Sequence, residues 1–201
     1  GSEMCIRDSP STMGEPLIYK HMPRIIELCH QYEVKLNLTT NGTFPRLGAE
    51  AWARLIVPVG SDVKLSWNGS DRASQRLVMV NNDFEQNMEN LRTFIRVRDE
   101  HAANGGNYCS VTLQMTFMEM NLHQIPRVVE LAIAEGVDRV KGHHLWAHFE
   151  EIKDEDLRRS KDSIERWNEI ARECIEIADN NPLPNGKCII LANIYELDPE
   201  P

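Results

Sequence analysis

The chain has 201 residues, 41% of them hydrophobic, which is enough for one domain with a real core. Its formal net charge of −9 argues against a nucleic-acid backbone as partner. No apolar run approaches the roughly 18–20 residues needed to span a bilayer, and the five cysteines are scattered, which points to a reducing cytoplasmic location rather than a secreted disulfide framework.

In chain order, residues 1–11 show neither strand nor helix period and are expected to be a non-native or disordered leader that supplies no strand. Gly14-Glu15-Pro16 is a sharp turn carrying one carboxylate, and Pro16 suits the first turn of a helix because its missing N–H would be unpaired there. Leu17, His21, Ile25, Leu28 and Cys29 share a helical stripe that closes near Tyr32. Val34 to Thr40 reads as a strand ending in Thr39-Thr40-Asn41-Gly42, and Ala49 to Ile56 as a short helix left through Pro58 and Gly60. Asp62 to Trp67 is the next strand, with Asn68-Gly69-Ser70-Asp71 as its polar exit. Phe84 to about Ala103 is helical, its apolar residues recurring at three and four until Asn104-Gly105-Gly106-Asn107 stops it.

Tyr108 to Met118 alternates most cleanly, with Val111, Leu113, Met115 and Phe117 against Thr112, Gln114 and Thr116. Val128, Leu131, Ala132 and Ile133 line a helix ended by Gly136, and Val137 to Lys141 starts a strand that runs into Gly142-His143-His144-Leu145-Trp146. A charged linker, Glu150 to Arg159, precedes a helix from about Ser163 to Asp179; Cys188 to Leu191 is a last apolar run with no obvious continuation. Strand–helix repeats of this length argue for an α/β fold with a parallel sheet.

The Gly14-Glu15-Pro16 turn, coupled to a strand ending in Thr40-Asn41-Gly42, resembles the radical S-adenosylmethionine (SAM) enzymes. In that family the turn after the second barrel strand is commonly Gly-Gly-Glu-Pro, and the third strand often ends in Thr-Asn-Gly; Met13 stands where the first glycine usually sits. The resemblance implies a partial (βα)6 TIM-like barrel lacking its first strands, over roughly residues 12–181, with residues 182–201 beginning a C-terminal extension of the SPASM type. It implies a fragment of an enzyme that reductively cleaves SAM at a [4Fe–4S] cluster to a 5′-deoxyadenosyl radical, acting on a peptide or protein. With the first two strands missing, Val34 to Thr40 is expected to be an open apolar edge and the isolated chain poorly soluble.

By the same resemblance, Gly14, Glu15 and Pro16 would receive the methionyl amine of SAM; the alternative for Glu15 is an ordinary helix-start residue favoured by the macrodipole. Thr40 and Asn41 would line that crevice or simply make a turn. Ser66 and Asn68 would reach the ribose, though Asn68-Gly69 is also a good turn. Gln114 and Thr116 form a polar row that faces either a ligand or solvent. His143, His144 and His148 admit a metal site or a loop whose ring edges contact SAM or the substrate, with His144 the residue placed at the cofactor.

The cluster loop of the family carries Cys-x3-Cys-x2-Cys, and no set among Cys5, Cys29, Cys109, Cys174 and Cys188 has that spacing. As written, the chain is expected to hold no cluster and to be inactive by itself. Two other readings stay open: a non-redox barrel enzyme such as an aldolase, and a non-catalytic module that keeps a SAM crevice.

Overall fold

The computed structural model describes the backbone of residues 7–8 and all of residues 14–80 and 82–198. The chain divides into two compact units, Gly1–Ser66 with Asp83–Thr112, and Trp67–Asn82 with Leu113–Pro201.

The first unit carries strands β1 (Arg7–Asp8), β2 (Lys35–Thr40) and β3 (Gly60–Ser66), side by side in chain order, and the first residues of β4 (Ser110–Phe117). β1 pairs parallel to β2 through Arg7 with Lys35 and Asp8 with Leu36, and β2 pairs parallel to β3, Thr40 lying opposite Leu65. The expectation of a strandless leader beside an open β2 edge is therefore corrected: two residues of residues 1–11 pair with β2, while Thr12 and Met13 lie outside the described residues.

Leu36, Leu38, Val63 and Leu65 are wholly buried, and the period of two sends Asn37, Thr39, Asp62 and Lys64 to the opposite face. Helices α1 (Met22–Gln31), α2 (Ala49–Ile56) and α4 (Phe84–Ala103) complete the unit, α2 packing on α4. The stripe expected from Leu17 onward is interrupted. Pro16–Ile18 is a 3-10 turn, Pro23 occupies the first turn of α1, and the buried face is Met22, Ile26 and Cys29 instead of Ile25 and Leu28. Phe44 stacks on Phe94 at 5.7 Å, and Trp52 donates to the Pro45 carbonyl at 2.7 Å.

The second unit contains the rest of β4, followed in the sheet by β5 (Arg139–His144) and β6 (Ile190–Ala192), with β5 and β6 parallel. The apolar run that begins at Cys188 thus includes β6. Helices α3 (Arg72–Val78), α5 (Ile125–Glu135) and α6 (Lys161–Asn180) accompany them, α5 packing on α6. The polar exit at residues 68–71 leads directly into α3. α3 is a helix because Asp71 accepts from Ser74 N at 2.8 Å while Asp71 N donates to the Ser74 hydroxyl at 3.3 Å, a reciprocal cap that also lowers the Asp71 pKa. Gly136 ends α5 at φ +74, a left-handed conformation that a side chain would strain. At Gly142 a Cβ would lie 2.1 Å from the Phe117 ring, so β5 meets that ring with bare backbone.

Candidate functional site

The lip of the first unit is organised by one carboxylate. Glu15 Oε1 accepts from Leu17 N at 3.1 Å and from the Thr40 hydroxyl at 2.8 Å, and Oε2 accepts from Asn41 N at 2.6 Å. A carboxylate offers about four lone-pair sites, so among the described residues one, on Oε2, is left for a further donor. The turn at residues 14–16 is thereby tied to the end of β2. Gly14 has φ +83 and a Cβ there would meet nothing, so the glycine serves the left-handed backbone and not a close approach. Pro16 opens the 3-10 turn, where its missing N–H leaves no gap.

Thr40 Oγ1 also accepts from Gly42 N at 3.3 Å, and Asn41 Oδ1 accepts from Thr43 N at 3.0 Å. The Asn41 side chain therefore shapes the turn. Behind it, Asn87 donates to the Asn41 carbonyl at 3.2 Å and Asn90 to the Gly42 carbonyl at 2.8 Å, both from α4. Sequence reasoning missed this pair, although a three-residue spacing of asparagines on one helix face was visible. Ser66 lies one residue beyond Leu65, the partner of Thr40, so it shares the C-terminal strand end with Glu15. Its hydroxyl has no hydrogen bond among the described residues and is half-buried.

In the second unit the polar residues have structural work. Asn68 is buried: its Oδ1 accepts from Thr116 N at 2.8 Å, and its N donates to Gln75 at 2.7 Å. Asn121 donates to the Thr116 carbonyl at 2.9 Å, and Gln124 accepts from the Ser70 hydroxyl at 2.6 Å. Gln114 is the fifth residue of the eight in β4, short of its end; its carbonyl accepts from Trp67 N at 2.8 Å, and its half-buried side chain makes no hydrogen bond among the described residues. Gln75, Asn121 and Gln124 were not singled out from the sequence, where isolated amides carry no spacing signal.

The histidines separate by strand parity. His144 packs edge-on against Trp167 of α6 at 4.4 Å and Phe117 at 5.5 Å, with Nδ1 buried and without a hydrogen-bond partner among the described residues. The ring is half-buried against this aromatic pair. His143, next along β5, is exposed, and Trp146 stacks on His148 at 6.2 Å with its indole largely open. Among the described residues no group of three or more His, Cys, Asp or Glu side chains could hold a metal.

Burial lowers the His144 imidazole from 6.5 to about 4, with the Arg158 charge adding to the effect and Asp156 opposing it. The fold holds the neutral ring, whereas the unfolded chain binds a proton below about 6.5. This contribution to stability is complete above that pH and declines as pH falls toward about 4. It amounts to about 1–2 kcal/mol once solvent screening of a half-buried ring is allowed for. Urea midpoints at pH 7.5 and pH 5 should differ accordingly, and His144→Phe should shrink the difference; an unchanged difference would remove His144 as its source.

SAM and an iron–sulfur cluster fare differently against these residues. The open lone pair of Glu15 and the free Ser66 hydroxyl suit an ammonium and a sugar hydroxyl. Cluster ligation is not met: Cys29, Cys109 and Cys174 are buried, Cys188 is exposed, and burial pushes the Cys174 thiol up to about 12, where it is no thiolate ligand. Cys5 lies outside the described residues. No helix among the described residues is long and apolar enough to cross a membrane.

No family model and no curated protein sequence matches the chain. Solved structures do. Streptococcus suis SuiB bound to its precursor peptide SuiA aligns over 90% of this chain at 15% identity and TM-score 0.64, covering 36% of SuiB. Native anSMEcpe with bound AdoMet and Kp18Cys peptide aligns over 92% at 13% identity and TM-score 0.64, covering 49% of that chain. A domain of pyruvate-formate lyase-activating enzyme from Bacteroides vulgatus aligns over 92% at 13% identity and TM-score 0.58, covering 98% of the domain. The chain thus spans a third to a half of the first two. These proteins are radical SAM enzymes, and what the likeness shows is the fold: this chain has their α/β, partial TIM-like architecture.

Proposed function

We propose that the chain is the SAM-binding part of a radical SAM enzyme that modifies a peptide or protein in a reducing, cytoplasmic setting. The observation that carries this reading is the Glu15 lip, a carboxylate locked between the turn at 14–16 and the end of β2 with one acceptor site open. SAM has an ammonium to meet that site, and the reductive cleavage of SAM is what supplies a 5′-deoxyadenosyl radical in such enzymes.

Within the first unit the residues take separate tasks. Glu15 accepts the ammonium, Thr40 and Asn41 hold Glu15 in place, Gly14 and Pro16 set the turn, and Ser66 offers its hydroxyl to the ribose. In the second unit Asn68 and Thr116 keep their own turn together, and Gln114 presents a free amide. No three described cysteines are grouped as cluster ligands, so the radical chemistry is assigned to a longer protein that brings a Cys-x3-Cys-x2-Cys loop and, in the SPASM-type reading, a C-terminal extension. The peptides bound by SuiB and anSMEcpe support the substrate class.

Calorimetric titration of this chain with SAM tests the proposal. Weak saturable binding is expected, falling about tenfold or more in Glu15→Ala. After iron and sulfide reconstitution the chain should give no stoichiometric cluster and no 5′-deoxyadenosine. Failure of SAM to bind at millimolar concentration would overturn the reading. A longer protein that binds SAM without cleaving it would favour the non-catalytic module.

A further inference from the structure

On the face of β2 and β3 opposite the leucines, an ion pair is almost closed off from water. The Asp62 and Lys64 side chains are 10% and 13% exposed, and Lys64 Nζ lies 3.4 Å from Asp62 Oδ2. Lys64 also donates to Asn37 Oδ1, and the Thr112 hydroxyl donates to Asp62 Oδ1 at 2.8 Å. Register places Asn37 opposite Asp62 and Thr39 opposite Lys64, so Lys64 sits one residue below Thr40 and the Glu15 lip. Stability does not account for it, since an apolar pair of equal volume in a buried position is commonly at least as stable as an ion pair.

The donor inventory shows what the cluster can still do. An ammonium has three N–H groups; Lys64 gives one to Asn37, faces Asp62 as an ion pair, and makes no other hydrogen bond among the described residues. Asn37 must turn its oxygen to the ammonium, which points its NH2 elsewhere, and that group has no partner among the described residues either. Two neighbouring side chains thus hold unused donors beside one another. Charge selects the acceptor. Lys64 is already balanced by Asp62, so an incoming carboxylate would leave excess negative charge in a poorly solvated position, whereas a neutral carbonyl oxygen would not.

We infer that Lys64 and Asn37 form a carbonyl-binding site that anchors a backbone amide of the peptide substrate, and that Lys64 is thereby a specificity-determining residue. The inference rests on the peptide-modifying reading above and names the group by which the peptide is held. Asp62 is a positioning residue: with Thr112 it fixes the ammonium and cancels its charge, so that a neutral peptide group is preferred to a free acid.

The test uses the full chain without SAM and follows the Asn37 side-chain amide by 1H–15N NMR. The probes are N-acetyl-dialanine methylamide and its free-acid counterpart, N-acetyl-dialanine. The blocked peptide should shift the Asn37 resonance saturably, with the free acid about tenfold weaker. Lys64→Met together with Asp62→Asn, which removes both charges at once, should weaken the response to the blocked peptide by about tenfold. No response in the unmodified chain overturns the proposal whether or not the variant folds. Tighter binding of the acid overturns it in favour of an anion site. Because SAM is absent from this titration, a failure here leaves the SAM-binding result standing, and a failure of SAM to bind leaves this one interpretable.

Discussion

Trp167→Ala is expected to cost about 3–5 kcal/mol of folding stability, enough to leave the second unit largely unfolded if its margin is typical of small domains. The indole is fully buried, its ring 4.8 Å from Phe117 and 4.4 Å from His144. Its Nε1 donates to the Tyr195 carbonyl at 2.8 Å, which links α6 to the chain after β6. Alanine opens a cavity on an aromatic cluster that already presses against bare backbone at Gly142, and it orphans the Tyr195 carbonyl. Urea unfolding followed by far-ultraviolet circular dichroism measures the loss. Trp167→Phe, which refills much of the volume without the N–H, should recover about half of it. A Trp167→Ala midpoint within error of the parent would mean that this cluster does not hold α6.

Glu15→Ala should release the lip while sparing the rest of the first unit. Three donors, Leu17 N, the Thr40 hydroxyl and Asn41 N, converge on this one carboxylate. Hydrogen bonds to a charged acceptor are the strong ones, and losing the set is expected to cost about 2–3 kcal/mol, less than the sum of single bonds because they share one group. Glu15→Gln should do nearly as badly, since an amide presents an N–H toward one of the backbone N–H groups that the carboxylate accepts. Hydrogen exchange at Asn41 gives the readout: its amide should lose protection in both variants while the β3 amides keep theirs. Retained protection at Asn41 would show that Asn87 and Asn90 hold the turn without Glu15.

Where the period was long and unbroken, the sequence by itself determined the elements. Ala49–Ile56 and Phe84–Ala103 form as helices over the ranges their patterns delimit, and the alternation through Val111, Leu113, Met115 and Phe117 is the buried face of β4. In each, burial of one face and local propensity favour the same conformation, so no distant contact is needed to choose between alternatives. The Gly14-Glu15-Pro16 turn was legible for a similar reason, because glycine and proline each restrict the backbone locally.

Only tertiary structure could decide the rest. Arg7–Asp8 and Ile190–Ala192 are too short to carry a period; they are strands because β2 and β5 offer them an edge. His143 and His144 are adjacent in sequence and chemically alike, yet strand parity exposes one and sets the other, half-buried, against Trp167. The open acceptor on Glu15, and the unused donors on Lys64 and Asn37, are remainders after other partners have been served. Those partners come from residues up to 27 positions away, and a remainder of that kind exists only once the chain has folded.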